Sequence, residues 1–172
     1  MNRDASAVGF AILFMGLSTL LSSTVLNSIA IWGVKPDLSL VILVFVATRR
    51  GSMVGQVGGF TAGLIDDLLS LAPIGFHACV RTVVGFLSGL LEGYILIDLF
   101  LVPIVLTIAG TILKGVIAAI LRLLFTLEMA DYSLISGIFW LEVAYNAVCA
   151  PLLYLALGTV KALKPRKKKE TA

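Results

Sequence analysis

Charged residues are scarce in this sequence. Only 13% of its 172 residues are Asp, Glu, Lys or Arg, whereas 59% are hydrophobic and the mean hydropathy is +1.07. Soluble globular domains carry about 25% charged residues, so this composition excludes an ordinary soluble domain. Several apolar runs reach the length of about 20 residues that a helix needs to cross a bilayer. The composition therefore predicts an all-α integral membrane protein.

Cysteine and histidine are too few to build a metal site. The sequence has one histidine, His77, and two cysteines, Cys79 and Cys149, which both lie in apolar runs. Cysteines in such surroundings behave as small hydrophobic side chains, so we expect no disulfide between them. We also expect no cofactor.

Catalytic motifs are absent from the sequence as well. It contains no nucleophile elbow, no HExxH zinc motif and no phosphate-binding loop after a strand. The adjacent carboxylates Asp66 and Asp67 would point about 100° apart on a helix, so they do not face each other as an acid and a base would. We therefore predict that the protein is not an enzyme.

Six apolar segments predict six transmembrane helices in a single domain that covers residues 1–163, followed by a basic tail at residues 164–172. The second helix is short for a span, so we expect it to begin below the outer surface with Pro36 and Asp37. The predicted helices cover about residues 7–31, 38–48, 52–71, 76–97, 100–124 and 134–163.

The basic residues predict the orientation in the membrane. An even number of spans places both termini on one side, and most basic residues fall on that side, whereas Lys35 and Arg122 are predicted on the other. The positive-inside rule then places both termini in the cytoplasm. The clustered lysines of the tail favour an anchor to anionic lipids over nucleic-acid binding. The basic residues of the predicted cytoplasmic side are Arg3, Arg49, Arg50, Lys161, Lys164, Arg166, Lys167, Lys168 and Lys169.

Charged side chains within the predicted helices form a candidate site in the outer half of the bilayer. An ionisable residue inside a span is costly, so it marks a functional or structural position. Asp67 and Arg81 flank the turn at Ile74 at similar distances, so we expect them to form a buried pair, with Asp66 facing Lys114. An internal ion-pair network, a ligand pocket and a contact layer for a partner helix all remain open. This predicted charged layer comprises Asp66, Asp67, Arg81, Lys114 and Glu142.

Glycines recur every four residues on the third and fourth predicted helices. Small residues at this spacing allow two helices to approach closely in lipid. The two glycine stripes either pack against each other, or one of them faces a neighbouring protein. They comprise Gly55, Gly59 and Gly63 on the third helix, and Gly85 and Gly89 on the fourth.

Residues 35–78 carry the motifs that are most specific. A Pro-Asp pair opens the second helix, an Arg-Arg-Gly run closes it, and a glycine-lined third helix reaches an aspartate before a Gly-containing turn. The residues concerned are Pro36, Asp37, Arg49, Arg50, Gly51, Gly59, Gly63, Asp67 and Gly75. This pattern resembles the MreD family, small integral membrane proteins of the bacterial rod-shape system. The length, the number of predicted spans and the basic tail are also similar.

The resemblance implies a non-catalytic protein of the bacterial inner membrane. MreD-like proteins act with MreC, with cytoskeletal MreB, and with the glycosyltransferase RodA and its penicillin-binding transpeptidase. Together these proteins direct lateral peptidoglycan synthesis and keep the cell rod-shaped. MreC would be the direct partner, and we expect the stripe of Gly55, Gly59 and Gly63 to contact it.

The resemblance also implies a second candidate function from a different class. The MreD family resembles the six-helix fold of the substrate-binding subunits of energy-coupling-factor vitamin transporters. Those subunits bind a vitamin in the outer half of the bundle and dock through an Ala-x-x-x-Ala motif, which Ala7 and Ala11 fit. A vitamin pocket needs stacking surface and convergent polar groups, and the short outer loops here offer few of either. The sequence therefore favours the cell-shape role.

Overall fold

The described part of the chain consists of α-helices joined by turns. The computed structural model describes residues 3–24, 30, 32–70, 72–94, 100–126, 134–160 and 163. These residues form six α-helices and no β-strand, which confirms the predicted all-α class. The helices are α1 (Arg3–Thr24), α2 (Leu38–Arg50), α3 (Ser52–Leu69), α4 (Phe76–Gly89), α5 (Leu101–Phe125) and α6 (Gly137–Gly158).

The helix bounds differ from the predicted ones mainly at the end of α4. This helix ends at Gly89 rather than near residue 97, and the chain continues as turns in which Gly93 has a left-handed φ of 78°. Residues 25–29, 31 and 95–99, at the predicted ends of two helices, lie outside the described residues. So do the basic tail and the side chains of Ala7 and Ala11.

Helix α2 is the core of the bundle. Every residue from Ser39 to Thr48 is buried, and α2 contacts each of the other five helices. Its 13 residues extend only about 20 Å, which is less than the roughly 30 Å of a hydrocarbon core. The helix begins at a cap in which the backbone N–H of Leu40 donates to Asp37 Oδ1 at 3.0 Å. The surrounding helices, rather than lipid, therefore cover this short apolar segment.

The two glycine stripes pack against each other and join α3 to α4. A Cβ atom at Gly59 would collide with the backbone carbonyl of Arg81, and one at Gly55 would collide with the carbonyl of Gly85. The same close approach places Gly63 against Ala78 and Gly89 against Ser52. In this structure the two stripes therefore face each other. The backbone of α4 occupies the face of Gly55, Gly59 and Gly63 that we expected to contact a partner protein.

The polarity of the bundle is that of a protein immersed in lipid. Large apolar side chains cover its outside, for example Leu152 at 72% exposure, whereas Arg81, Asp67 and Glu142 are buried inside. Among the helices that the structure describes, α5 and α6 are long and apolar enough to cross a membrane. Apolar side chains outside and paired charges inside are expected where the solvent is hydrocarbon.

The close contact between α3 and α4 predicts that Gly59→Ala destabilises the bundle. The added methyl group must displace the Arg81 backbone, and overpacking of this kind costs about 1–3 kcal/mol. Thermal unfolding of the purified protein in detergent measures the loss. Gly9→Ala is the matched control, because a Cβ atom at this exposed position in α1 meets nothing within 4 Å. Equal melting temperatures for the two variants would contradict the observed packing.

Candidate functional site

Asp37 is the centre of a buried network of charges. Its Oδ1 atom lies 3.1 Å from Arg81 Nη2, and its Oδ2 atom lies 2.8 Å from Lys114 Nζ. Arg81 also pairs with Asp66, and Lys114 also pairs with Glu142. The result is a chain of alternating charge in the order Asp66, Arg81, Asp37, Lys114, Glu142.

This charge network connects all six helices. Asp66 is on α3, Arg81 on α4, Lys114 on α5 and Glu142 on α6, while Asp37 caps α2. The remaining helix, α1, joins through Thr19, whose hydroxyl donates to Asp66 Oδ1 at 2.8 Å. One connected set of ion pairs and hydrogen bonds therefore fixes the relative positions of all the helices.

Neutral polar groups satisfy the network at its centre. Arg81 donates a second hydrogen bond to the hydroxyl of Ser39. The backbone N–H of Asp37 donates to Asn146 Oδ1 at 2.7 Å, and Asn146 Nδ2 in turn donates to Thr111 Oγ1 at 3.1 Å. Ion pairs inside a protein stabilise it only when hydrogen bonds also satisfy the remaining donors and acceptors. The cluster meets this condition around Asp37.

Asp67 stands apart from the ion pairs and caps α4. Its carboxylate accepts backbone N–H groups from Gly75 and His77, both at 2.8 Å, and from Ala78 at 3.1 Å. Gly75, the N-cap residue, has a left-handed φ of 97° that turns the chain into the helix. The first turn of a helix offers unpaired N–H groups and a partial positive charge, so it stabilises a carboxylate.

The predicted pairing within the charged layer is therefore wrong in two places. Asp67 binds the start of α4 instead of Arg81, and Asp66 pairs with Arg81 instead of Lys114. The physical reason is the turn of about 100° between adjacent helical residues, which sends the two carboxylates to different neighbours. The structure does bring Asp66, Arg81, Lys114 and Glu142 into one network, with Asp67 beside it.

The sequence places Asp37 at the start of the second helix and in the family motif but not in the charged layer, and it does not single out Ser39 or Thr111. A signal for Asp37 exists, since a Pro-Asp pair directly before an apolar run is typical of a helix start. The cap places its carboxylate at the end of the most buried helix, where cations on two neighbouring helices reach it. Ser39 and Thr111 carry no comparable signal, because serine and threonine are common in membrane helices without a partner role.

The two arginines of the family motif lie at the other end of α2. Arg49 places its guanidinium over the Phe45 ring, 4.5 Å from the ring centre, while Arg50 is buried. The length of α2 separates them from Asp37 by roughly 20 Å. Neither arginine therefore belongs to the charge network, whereas Pro36 is buried beside it.

The arrangement is suited to bracing the bundle. The carboxylates of Asp66, Asp37 and Glu142 are each engaged by a cation of the same chain. No group of three or more His, Cys, Asp or Glu side chains in the described ranges is arranged to hold a metal ion. Removing a single partner would leave an uncompensated buried charge, which makes each member of the network costly to lose.

Comparison with known protein families identifies a match over most of the chain. The model of a family described as rod shape-determining protein MreD matches residues 4–160. No curated protein and no solved structure matches the chain.

The geometry predicts a strong energetic coupling between Asp66 and Arg81. Removing one partner of a buried pair typically costs about 3–5 kcal/mol, because the other charge remains unpaired. We expect Asp66→Asn and Arg81→Gln each to lower the melting temperature, and the double variant to lose less than the sum by at least about 1 kcal/mol. A double-mutant cycle of thermal unfolding in detergent measures this coupling.

The matched control for this cycle is Asp67→Asn combined with Arg81→Gln. Asp67 binds backbone N–H groups of the α4 turn, so its loss should add to that of Arg81 within about 0.5 kcal/mol. Equal coupling energies in the two cycles would show that Arg81 does not distinguish the two aspartates.

Proposed function

The chain belongs to the MreD family of rod shape-determining proteins, and on that basis we propose that it is a non-catalytic scaffold of the membrane complex that directs lateral peptidoglycan synthesis. The match over residues 4–160 is the observation that carries this proposal. The family consists of membrane proteins with a structural role in cell shape and is not a known enzyme family.

The proposed scaffold binds MreC directly and acts with MreB, RodA and the penicillin-binding transpeptidase. The charge network supports this role, because it braces six helices into a rigid body on which a partner can be positioned. Since α4 covers the glycine stripe of α3, the contact with MreC lies elsewhere on the surface. The outer faces of the bundle, rich in apolar side chains, are available for it.

We further propose that the protein resides in the bacterial inner membrane as a single domain with six spans and both termini in the cytoplasm. The short helix α2 crosses within the bundle, sheltered from lipid by the other five helices. The basic tail, from residue 164 onwards, binds anionic lipids at the cytoplasmic surface. In this topology Asp37 and the charge network lie in the outer half of the bilayer.

A vitamin-binding subunit of an energy-coupling-factor transporter is the second candidate function. It is favoured by one observation: the side chains of Asp37 and Lys114 remain 15% and 16% exposed, so the network is not completely sealed. Against it, both side chains are already engaged in ion pairs with each other and with Arg81 or Glu142. The scaffold role is therefore the better supported of the two.

Affinity purification tests the scaffold role. We expect the tagged full chain, solubilised from membranes in mild detergent, to recover MreC, and depletion of the protein to convert rods into spheres. A tagged membrane protein of similar size, unrelated to cell shape, is the control for non-specific recovery. Recovery of a bound vitamin and a transporter ATPase module, with no MreC and no change in cell shape, would assign the protein to transport instead.

A reporter fusion tests the proposed topology. We expect a phosphatase that is active only in the periplasm to be silent when fused after Ala172, and a fluorescent protein that folds only in the cytoplasm to be bright there. The same pair of reporters fused within the link between α3 and α4, near Ile74, should give the opposite result. Phosphatase activity at Ala172 would mean an odd number of spans and would contradict the proposed crossing of α2.

A further inference from the structure

Polar side chains without hydrogen-bond partners lie at the end of α2 that is opposite Asp37. Within the described part of the chain, Arg49 Nε, Thr107 Oγ1 and the Tyr154 hydroxyl are buried and have no partner. Thr107 is 0% exposed and Tyr154 is 4% exposed. An unmet buried polar group costs about 1–3 kcal/mol, so several of them in one place call for an explanation.

These groups belong to one cluster, which we call the Arg49 cluster. The Tyr154 hydroxyl lies beside the hydroxyls of Thr48 and Thr107 without forming a well-aligned hydrogen bond, and it is close to the Arg49 guanidinium. The Phe45 ring holds the geometry: it packs edge-on against Tyr154, with 4.7 Å between ring centres, and carries the Arg49 guanidinium 4.5 Å above its face. The guanidinium therefore lies against the buried Phe45 ring, which Tyr154 also contacts.

The Arg49 cluster contains hydrogen-bond donors that a negatively charged acceptor would satisfy. Arg49 can only donate hydrogen bonds, and the hydroxyls of Tyr154 and Thr107 each have a proton to donate. No carboxylate of the described residues forms an ion pair with Arg49. A guanidinium beside hydroxyl donors matches the several acceptor oxygens of a phosphate group. If Arg49 served only to orient the protein in the membrane, its positive charge would be enough, and its packing on Phe45 beside Tyr154 would not be needed.

The surroundings of the Arg49 cluster favour a lipid as the source of that phosphate. Arg49 itself is only partly buried, so a ligand reaches the cluster from its side. On α5, directly before Thr107, an apolar hollow of about 200 Å³ is lined by Leu101, Val102, Val105 and Leu106. The hollow lies on the same helix as Thr107 and ends one residue before it, so a lipid with its head group at the cluster can place an acyl chain along this part of α5.

We propose that the Arg49 cluster binds the phosphate of an anionic membrane lipid. Arg49 and the hydroxyl of Tyr154 hold the phosphate oxygens, and the hollow on α5 receives part of an acyl chain. In the proposed topology this site faces the cytoplasmic leaflet, at the opposite end of α2 from the charge network. It is separate from the basic tail, which lies beyond residue 163.

The test measures binding of phosphatidylglycerol to the purified full chain, by native mass spectrometry and by thermal stabilisation in detergent. It is done at high salt, because salt screens the exposed lysines of the tail more than a partly buried site. We expect Arg49→Gln to weaken binding about tenfold, since a charge-assisted hydrogen bond is lost. Tyr154→Phe keeps the ring and removes only the hydroxyl, so it should weaken binding by a smaller factor.

Arg122→Gln is the matched control, because it removes a basic residue at the far end of α5 and should leave binding unchanged. Phosphatidylglycerol binding that is equal in the wild type, Arg49→Gln and Tyr154→Phe would overturn the proposal. Stabilisation by inorganic phosphate alone, as strong as by the lipid, would assign the site to a soluble phosphate and also overturn it. A third result would also overturn the proposal: the lipid does not stabilise the wild type, and Tyr154→Phe is more stable than the wild type. The hydroxyl would then be only an unsatisfied buried group.

Discussion

The structure depends on one largely buried carboxylate, that of Asp37. Asp37 lies at the start of the most deeply buried helix, and its negative charge would cost several kcal/mol in that position if it were unpaired. Each of its two oxygens holds a cation from a different helix, Arg81 or Lys114. Arg81 also forms an ion pair with Asp66, and Lys114 forms one with Glu142. The requirement to neutralise one charge thus determines how five helices meet, and a hydroxyl from α1 adds the sixth.

The glycine contact between α3 and α4 makes this network possible. Arg81 reaches Asp66 and Asp37 because the backbones of the two helices touch at Gly59, where any side chain would separate them. Backbone contact also compensates for the weak apolar drive between helices in lipid, where packing rather than exclusion of water supplies the stability. The glycine stripe of α3 is consequently used for internal packing, so any protein partner would have to contact another surface.

Helix α2 connects two polar regions of different character. At one end, Asp37 is saturated with internal partners, as a brace requires. At the other end, Arg49 Nε and the Tyr154 hydroxyl are buried without a well-formed hydrogen bond. The proposed scaffold role uses both properties, because a rigid interior keeps its shape while other molecules bind outside. The chain belongs to the MreD family, so the two polar ends of α2 are features of a protein that acts in cell shape.

The sequence by itself determined the membrane character, the six helices, the glycine stripes and four of the five charged residues of the network. It could do so because apolar length, four-residue spacing and the cost of a charge in hydrocarbon are properties of a single segment. The tertiary structure alone decided the partners. Asp66 and Asp67 are neighbours in sequence, yet one meets Arg81 and the other meets free N–H groups of α4. The sequence predicts how deep a charged residue lies in the membrane. The side chains that it meets depend on the direction in which it points from its helix, and the packing of the helices decides that.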